Sequence, residues 1–204
     1  MKIYFDVGAN DGLDGIDAVN HKGYDLCYSF EVNPESIRRF KKRVKGLENK
    51  VILIEKAVSN YNGEGTFINF QKSNIGSLLS PNPKISNSEN RKEDFTILSK
   101  EKVEVITLLK FCTENNIKQI EHLHIDAQGS DYDVLVGLDS FIKNVKEGIV
   151  ECYSEKQTPL YLDATNTYEN CKTYLESYGF ECKKFNAFTD KNDGNLKFSN
   201  PKFK

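Results

Sequence analysis

Residues 2–12 read KIYFDVGANDG, an apolar stretch that runs directly into a glycine-containing turn. The apolar run at residues 2–7 is typical of a buried strand. Gly8 and Gly12 allow the backbone to turn sharply and to approach a ligand closely. Further strands are predicted at residues 26–30 (LCYSF) and 51–56 (VILIEK), and helices at 11–20 and 34–45. Alternation of strand and helix predicts an α/β fold with a parallel sheet and right-handed crossovers.

A polar insertion interrupts this alternation before it resumes. Residues 65–70 and 102–106 are predicted strands of a hairpin, and the segment 71–94 between them lacks hydrophobic periodicity. A loop of this length in a compact domain is usually functional or mobile, so we interpret it as a flap. The later elements are helices at 108–115, 132–139 and 168–178, strands at 122–126 and 148–153, and closing strands at 180–188 and 196–198 joined by a turn at 192–194. We therefore expect one domain over residues 1–204, with a mostly parallel seven-stranded sheet, an antiparallel edge pair and a hairpin and flap insertion at about 64–106.

Composition limits the classes of protein and partner. The chain has 204 residues, 38% of them hydrophobic, and a net charge of −2, which excludes a disordered chain and gives no basic face for nucleic acid. No apolar run approaches the roughly 20 residues of a membrane span. The five cysteines form no C-x-x-C pair and are expected to be free thiols, as in a reducing compartment. We expect a cytoplasmic protein with no nucleic-acid partner, and the sequence leaves open whether it forms a homodimer.

Polar residues follow several of the predicted parallel strands. In such sheets ligands bind beyond the carboxyl ends of the strands. Asp6 and Asp11 flank the first turn, Glu31 ends the second strand, and Asp126 and Glu151 end later ones. This acidic surrounding would repel a pyrophosphate and favour a cation, while a carboxylate can accept hydrogen bonds from both ribose hydroxyls. A ligand with a ribose, a positive charge and no phosphate fits these residues, and S-adenosylmethionine is such a ligand.

Several motifs then resemble one family. They are DVGANDG (6–12), SFEVNPES (29–36), VILIEKAVSNYNGEG (51–65), NIGSLL (74–79), VEVITL (103–108) and HIDAQGSDYDVLVGL (124–138). In this order, over about residues 2–151, they resemble the FkbM-type S-adenosylmethionine-dependent methyltransferases. The resemblance implies a class I methyltransferase (Rossmann-like) fold and S-adenosylmethionine as cofactor. It also implies O-methylation of a sugar, a glycan or a small natural-product hydroxyl.

The resemblance also assigns roles to individual residues. Glu31 would bind the ribose, Val32 would pack on the adenine, and Ser77 falls on the flap of the family. The residues that would bind the cofactor are Asp6, Gly8, Asn10, Asp11, Gly12, Glu31, Val32, Ala57, Val58 and Asp126. Tyr153 could stack on a sugar acceptor. The chain departs from the family at residues 127–129, where Ala-Gln-Gly stands in place of the frequent Val-Glu-Gly.

A hydroxyl acceptor must lose its proton, so the site needs a base. The candidates are Asp126, His124 and Glu151, of which Asp126 is best placed because it directly follows a parallel strand. His122, His124 and Asp126 could also be interpreted as a metal triad. Residues two apart on a strand lie about 6–7 Å from each other, which is too wide for one ion, so we expect no metal.

Two other functions remain open on the sequence. A nucleotide-sugar or NAD-binding enzyme could use a similar sheet, although the first turn lacks the G-x-G-x-x-G pattern of dinucleotide sites. A non-catalytic binding module could retain the cofactor fold without the reaction. Binding of S-adenosylhomocysteine rather than NAD separates the first alternative from a methyltransferase.

Overall fold

Strands and helices alternate through most of the computed structural model, which describes residues 1–185 and 194–203. The strands there are β1 (Ile3–Val7), β2 (Leu26–Phe30), β3 (Val51–Ile54), β4 (Ala57–Val58), β5 (Gly63–Phe70), β6 (Ile97–Ile106), β7 (Ile120–Ile125), β8 (Val145–Cys152), β9 (Glu181–Phe185) and β10 (Gly194–Ser199). The α-helices are α1 (Leu13–His21), α2 (Pro34–Arg43), α3 (Pro83–Ser86), α4 (Leu108–Glu114), α5 (Asp131–Val136) and α6 (Tyr168–Ser177). Short 3₁₀ turns lie at Ser73–Ile75, Asp139–Asn144 and Pro201–Phe203.

The main sheet has seven strands in the order β3-β2-β1-β7-β8-β10-β9. The strands from β3 to β8 in this order pair in parallel, whereas β10 pairs antiparallel with both β8 and β9. The predicted fold, with its antiparallel edge pair, is confirmed. Val7 lies in register with Phe30 on one side and with Ile125 on the other. The register therefore brings the polar residues that follow β1, β2 and β7 to one edge of the sheet.

Helices cover both faces of this sheet. On one face α4, α5 and α6 bury a large apolar core against residues such as Phe5, Leu123 and Ile125, all of them inaccessible to solvent. On the other face α1 and α2 cover Tyr4 and Cys27 through Ala18 and Phe40. The larger core lies under the second half of the sheet, and both layers hold β1 rigidly at the centre.

The chain between β3 and α4 forms a second sheet of order β4-β6-β5. β5 and β6 form the predicted antiparallel hairpin, and β4 pairs in parallel with β6. The segment between the hairpin strands folds against its own apolar cluster, which includes Phe70, Ile75, Phe95 and the distant Tyr161. Part of this segment, residues 71–79, is called the strap below because it passes over the carboxyl edge of the main sheet.

Several element boundaries differ from the sequence-based predictions. The third strand ends at Ile54, because the chain turns there and residues 57–58 join the second sheet instead. The first helix begins at Leu13, after Gly12 adopts a left-handed conformation with φ of 81°. The helix predicted at 132–139 ends at Val136. The predicted strand 180–188 is seen over Glu181–Phe185, and its remainder, like residues 192–193 of the predicted turn, lies outside the described residues.

Within the described part of the chain, no helix combines the length and the apolar character that crossing a bilayer requires.

Candidate functional site

The ends of β1, β2 and β7 open into one cavity. Each strand end contributes a polar group to its wall, and the strap forms part of the opposite wall. The predicted site residues that line this cavity are Gly8, Asn10, Glu31, Val32, Ala57, Val58, Ser77 and Asp126. The structure thus brings these eight together. Asp6, Asp11, Gly12, His124, Glu151 and Tyr153 are not among the residues that line the cavity.

The turn after β1 forms the floor of the cavity. Gly8 has φ of 83°, and a Cβ at this position would lie 1.8 Å from the backbone oxygen of Asp126. The backbone N–H groups of Gly8 and Ala9 both donate to the carbonyl of Phe30 at 3.0 Å. The first turn is therefore packed between the two neighbouring strand ends, and only glycine fits there.

Glu31 is held rigidly at the end of β2. Its Oε2 accepts from the backbone N–H of Asn10 at 2.8 Å, and its Oε1 accepts from those of Val32 and Asn33 at 2.8 and 2.7 Å. Burial raises the pKa of Glu31, although the three N–H donors favour its charged form. Oε2, which accepts one of these bonds, has a further lone pair for a ligand hydroxyl. Glu31 therefore presents a fixed acceptor to whatever occupies the cavity.

Next to Glu31 the cavity wall is apolar. Val32 follows it along the chain, and Ala57 and Val58 of β4 are 7% and 4% exposed. Phe67 of β5 contributes another part of the wall. An apolar wall beside a fixed acceptor suits a flat ring that is attached to a hydroxyl-bearing sugar.

Asp6 lies below the cavity rather than in its wall. Its Oδ1 bonds Nδ1 of His124 at 2.9 Å, and its buried Oδ2 has no hydrogen-bond partner within the described residues. Burial raises the pKa of Asp6, against the opposing effect of His124. Burial would lower the pKa of His124, but the hydrogen bond and the negative charge of Asp6 raise it above its ordinary value. Asp6 and His124 therefore form a proton-sharing pair under the first turn.

Asp11 and Gly12 shape the loop after the turn. Asp11 Oδ2 accepts from Nη2 of Arg43 at 2.7 Å, which ties the loop to the end of α2. Gly12 has no room for a side chain, because a Cβ there would lie 2.7 Å from the ring of Phe40. Both residues set the path of the chain into α1.

Three carboxylates meet where β7 and β8 end. Oxygen atoms of Asp126, Asp131 and Glu151 all lie within 4.8 Å of one another. Asp131 is fully buried, and it accepts from the backbone N–H of Ala127 at 2.6 Å and of Gly129 at 3.0 Å. Burial, with the nearby charge of Asp126, raises the pKa of Asp131 to about 7. Asp131 thus holds the turn that carries Asp126, a role that the sequence-based site did not include.

This trio and a second one, Asp6, Asp14 and His124, are the groups in the described chain with ligand atoms close enough to hold a metal ion. The ligand atoms of His122, His124 and Asp126 do not form such a group in the described chain. The ring of His122 stacks on Tyr4 at 5.0 Å between centroids, and its Nδ1 lies 3.3 Å from Oε1 of Glu147.

Tyr153 is buried, with 4% of its surface exposed, and its backbone pairs with residues 166 and 168. Tyr153 directly follows β8, its backbone contacts the chain at the start of α6, and it does not line the cavity. Ser77 is also buried, and its Oγ donates to the backbone oxygen of Gln128 at 2.7 Å. Ser77 thereby anchors one end of the strap to the turn after β7.

The other end of the strap is anchored to α2. Nδ2 of Asn33 donates to Oδ1 of Asn69 and to the backbone oxygen of Ser73, both at 3.0 Å. Oδ1 of the same residue caps α2 by accepting from the N–H groups of Glu35 and Ser36. The sequence signal for Asn33 was its place before Pro34, which indicates a helix cap but not the contact with the strap.

Comparisons with known proteins identify the fold and the family. A family model described as "Methyltransferase FkbM domain" matches residues 6–182. The chain belongs to the FkbM methyltransferase family. A curated relative, the 2-O-methyltransferase NoeI of Sinorhizobium fredii, is 27% identical over 145 residues, which are 66% of this chain and 56% of NoeI. This FkbM-family chain therefore spans little more than half of that relative.

Solved structures agree on the fold. The methyltransferase FkbM from Methylobacillus flagellatus superposes with a TM-score of 0.59 at 13% identity, over 97% of this chain and 43% of that one. TrmK of M. capricolum, solved with S-adenosylhomocysteine, gives 0.55 at 13% identity, over 98% of this chain and 62% of that one. The chain therefore has the class I methyltransferase fold.

S-adenosylmethionine is the cofactor of this family and fold. The donor set in the cavity fits it. A fixed carboxylate (Glu31) lies beside an apolar wall that suits adenine, and a second carboxylate (Asp126) lies across the cavity, where a cationic group is favoured.

Proposed function

We propose that this FkbM-family chain transfers the methyl group of S-adenosylmethionine to a hydroxyl of a sugar, a glycan or a small natural product. The observation that carries the proposal is one cavity with Glu31 and Asp126 at separate strand ends and an apolar wall beside Glu31. The relative NoeI, named a 2-O-methyltransferase, supports the choice of a hydroxyl acceptor.

Each residue of the cavity has a role in binding under this proposal. Glu31 accepts a hydrogen bond from a ribose hydroxyl, and Val32, Ala57 and Val58 contact the adenine. The tight turn at Gly8 and Asn10 lies against the remainder of the cofactor, and Asp6 supports that turn from below. The bound cofactor supplies an electrophilic methyl group, and much of the catalysis is then positioning.

The acceptor hydroxyl must give up its proton when its oxygen attacks the methyl carbon. Asp126 is the proposed base, because it is the candidate that lines the cavity. Glu151, whose carboxylate lies within 4.8 Å of an oxygen of Asp126, is proposed to place the acceptor or to receive the proton from Asp126. His124 is proposed to act through Asp6, since its Nδ1 is already bonded there.

Calorimetric titration with S-adenosylmethionine, S-adenosylhomocysteine and NAD tests the cofactor. We expect one-to-one binding of the first two and none of NAD. Binding of NAD alone would contradict the proposal and favour a dinucleotide enzyme.

The variant Glu31→Ala tests the site. Loss of a charged acceptor is expected to weaken S-adenosylhomocysteine binding by roughly 10- to 100-fold. Glu114→Ala is the matched control, because Glu114 lies exposed at the end of α4. Equal affinities of the two variants would show that Glu31 does not contact the cofactor.

Transfer of a labelled methyl group to a panel of sugars, glycans and amines tests the acceptor. Methylated hydroxyls are the expected products. Tight cofactor binding without transfer to any acceptor would favour a non-catalytic module.

The free cysteines support a reducing compartment, and on that ground we propose that the protein is cytoplasmic.

A further inference from the structure

Gln128 occupies an unusual position in the turn after β7. Its φ is 49°, a left-handed conformation that non-glycine residues seldom adopt. Such conformations persist where the surrounding contacts impose them, and they concentrate at functional sites. The conformation therefore raises the question of which contacts hold Gln128 in place.

Three groups form hydrogen bonds with Gln128. Its Nε2 donates to Oδ1 of Asp126 at 2.6 Å, and its Oε1 accepts from the hydroxyl of Tyr161 at 3.0 Å. Its backbone oxygen accepts from Oγ of Ser77 at 2.7 Å. Tyr161 is itself inaccessible to solvent, and its hydroxyl also lies 2.8 Å from the backbone oxygen of Ile75. Gln128 thus joins Asp126 to the strap and to the segment that carries Tyr161.

In the contact with Asp126, the amide of Gln128 is the donor and the carboxylate is the acceptor. An N–H that donates to a carboxylate stabilises its charged form. It also fixes the direction in which one lone pair of Oδ1 points. The amide has its nitrogen towards Asp126 and its oxygen towards Tyr161, whose single hydroxyl proton is shared between that oxygen and the backbone oxygen of Ile75.

We propose that Gln128 is a positioning residue, which holds the carboxylate of Asp126 in one orientation at the reactive end of the cofactor cavity. This inference rests on the proposed function, since it assumes that the cofactor's sulfonium end lies near Asp126. An ionised carboxylate there favours the cationic cofactor over its neutral product. The same carboxylate can take a proton from an acceptor.

The contact itself can be tested on the protein without any ligand. In Gln128→Glu two carboxyl groups would lie about as close as the present 2.6 Å contact, so the folded pair would hold a proton that the unfolded chain releases. Its melting temperature should lie within about 2 °C of the wild type at pH 5 and about 5 °C or more below it at pH 8. The matched control is Gln119→Glu, because Gln119 donates to Glu121 on the exposed surface. A Gln128→Glu curve parallel to the wild type at every pH would overturn the proposal.

The role in the site is tested by calorimetry at pH 7.5 with S-adenosylmethionine and S-adenosylhomocysteine. Gln128→Leu and Asp126→Asn should both lower the affinity for S-adenosylmethionine about 5- to 10-fold more than that for S-adenosylhomocysteine. Affinities that fall equally for both ligands would assign Gln128 a purely structural role and overturn the inference. A wild type that binds neither ligand would overturn the proposed function, whatever the melting curves show.

Discussion

Asp6 and His124 form an acid–base pair whose protonation depends on both residues. The pKa of His124 is raised because the hydrogen bond and charge of Asp6, helped by Asp14 and Asp126, outweigh burial. A histidine with a raised pKa binds its proton more tightly in the folded state. Its contribution to stability is then complete below the unfolded pKa of about 6.5 and is lost as the pH rises through the folded value.

His124→Gln is therefore expected to destabilise the fold more at low pH than at high pH. At pH 5.5 the loss of a charge-assisted hydrogen bond should lower the free energy of unfolding by about 1.5–3 kcal/mol. At pH 8.5 the loss should be smaller, because this contribution decreases as the pH rises through the folded pKa of His124. Urea unfolding at the two pH values measures both.

His21→Gln is the control for this prediction. His21 contacts Asp17 at 3.0 Å, but on the exposed surface, where such pairs contribute little. A destabilisation by His124→Gln that is the same at both pH values would contradict a charged imidazole.

At the scale of elements, the strap depends on a few polar anchors. Ser77 is 1% exposed, and its Oγ both donates to Gln128 and accepts from the backbone N–H of Leu79 at 3.0 Å. Its removal leaves buried groups without partners, which costs about 1–3 kcal/mol. We expect Ser77→Ala to lower stability by this amount and to speed proteolysis within residues 71–96.

Ser88→Ala is the matched control, since Ser88 donates to the backbone oxygen of Ile85 in the exposed part of the same insertion. Limited proteolysis followed by mass spectrometry measures the cleavage sites. Unchanged cleavage of Ser77→Ala would show that the strap is held by its apolar cluster alone.

The contacts between elements also show which parts of the site could be predicted from the sequence and which could not. Glu31 and Asp126 could be predicted as neighbours because parallel strands end at one edge and each residue follows its strand directly. The contacts of Asn33 and Gln128 could not be predicted, because their partners Asn69 and Tyr161 lie 36 and 33 residues away in the second sheet and in an irregular segment. Tyr153 was expected beside the acceptor, but nothing in the sequence shows that its ring turns into the interior.

At the scale of the whole molecule, the core under β7 and β8 holds the carboxyl edge of the sheet together. Leu123 is inaccessible to solvent and contacts the layer formed by α4, α5 and α6. Leu123→Ala should lower the free energy of unfolding by about 2–5 kcal/mol through lost burial and the cavity left behind.

Leu98→Ala is the control, because Leu98 is 57% exposed at the start of β6. It should change stability by no more than about 0.5 kcal/mol. Denaturant unfolding of the purified chain measures both variants. Similar values for the two leucines would contradict the arrangement of the layers.

The anchored strap also bears on how a bound molecule would leave the cavity. Residues of the strap line the cavity, and the strap can move away from it only after the contacts of Asn33 and Ser77 with their partners break. Opening of such covers takes microseconds to milliseconds and limits the turnover of many enzymes. Under the proposed function, weaker anchors are therefore expected to speed product release and to shorten the time for which S-adenosylmethionine stays in the cavity.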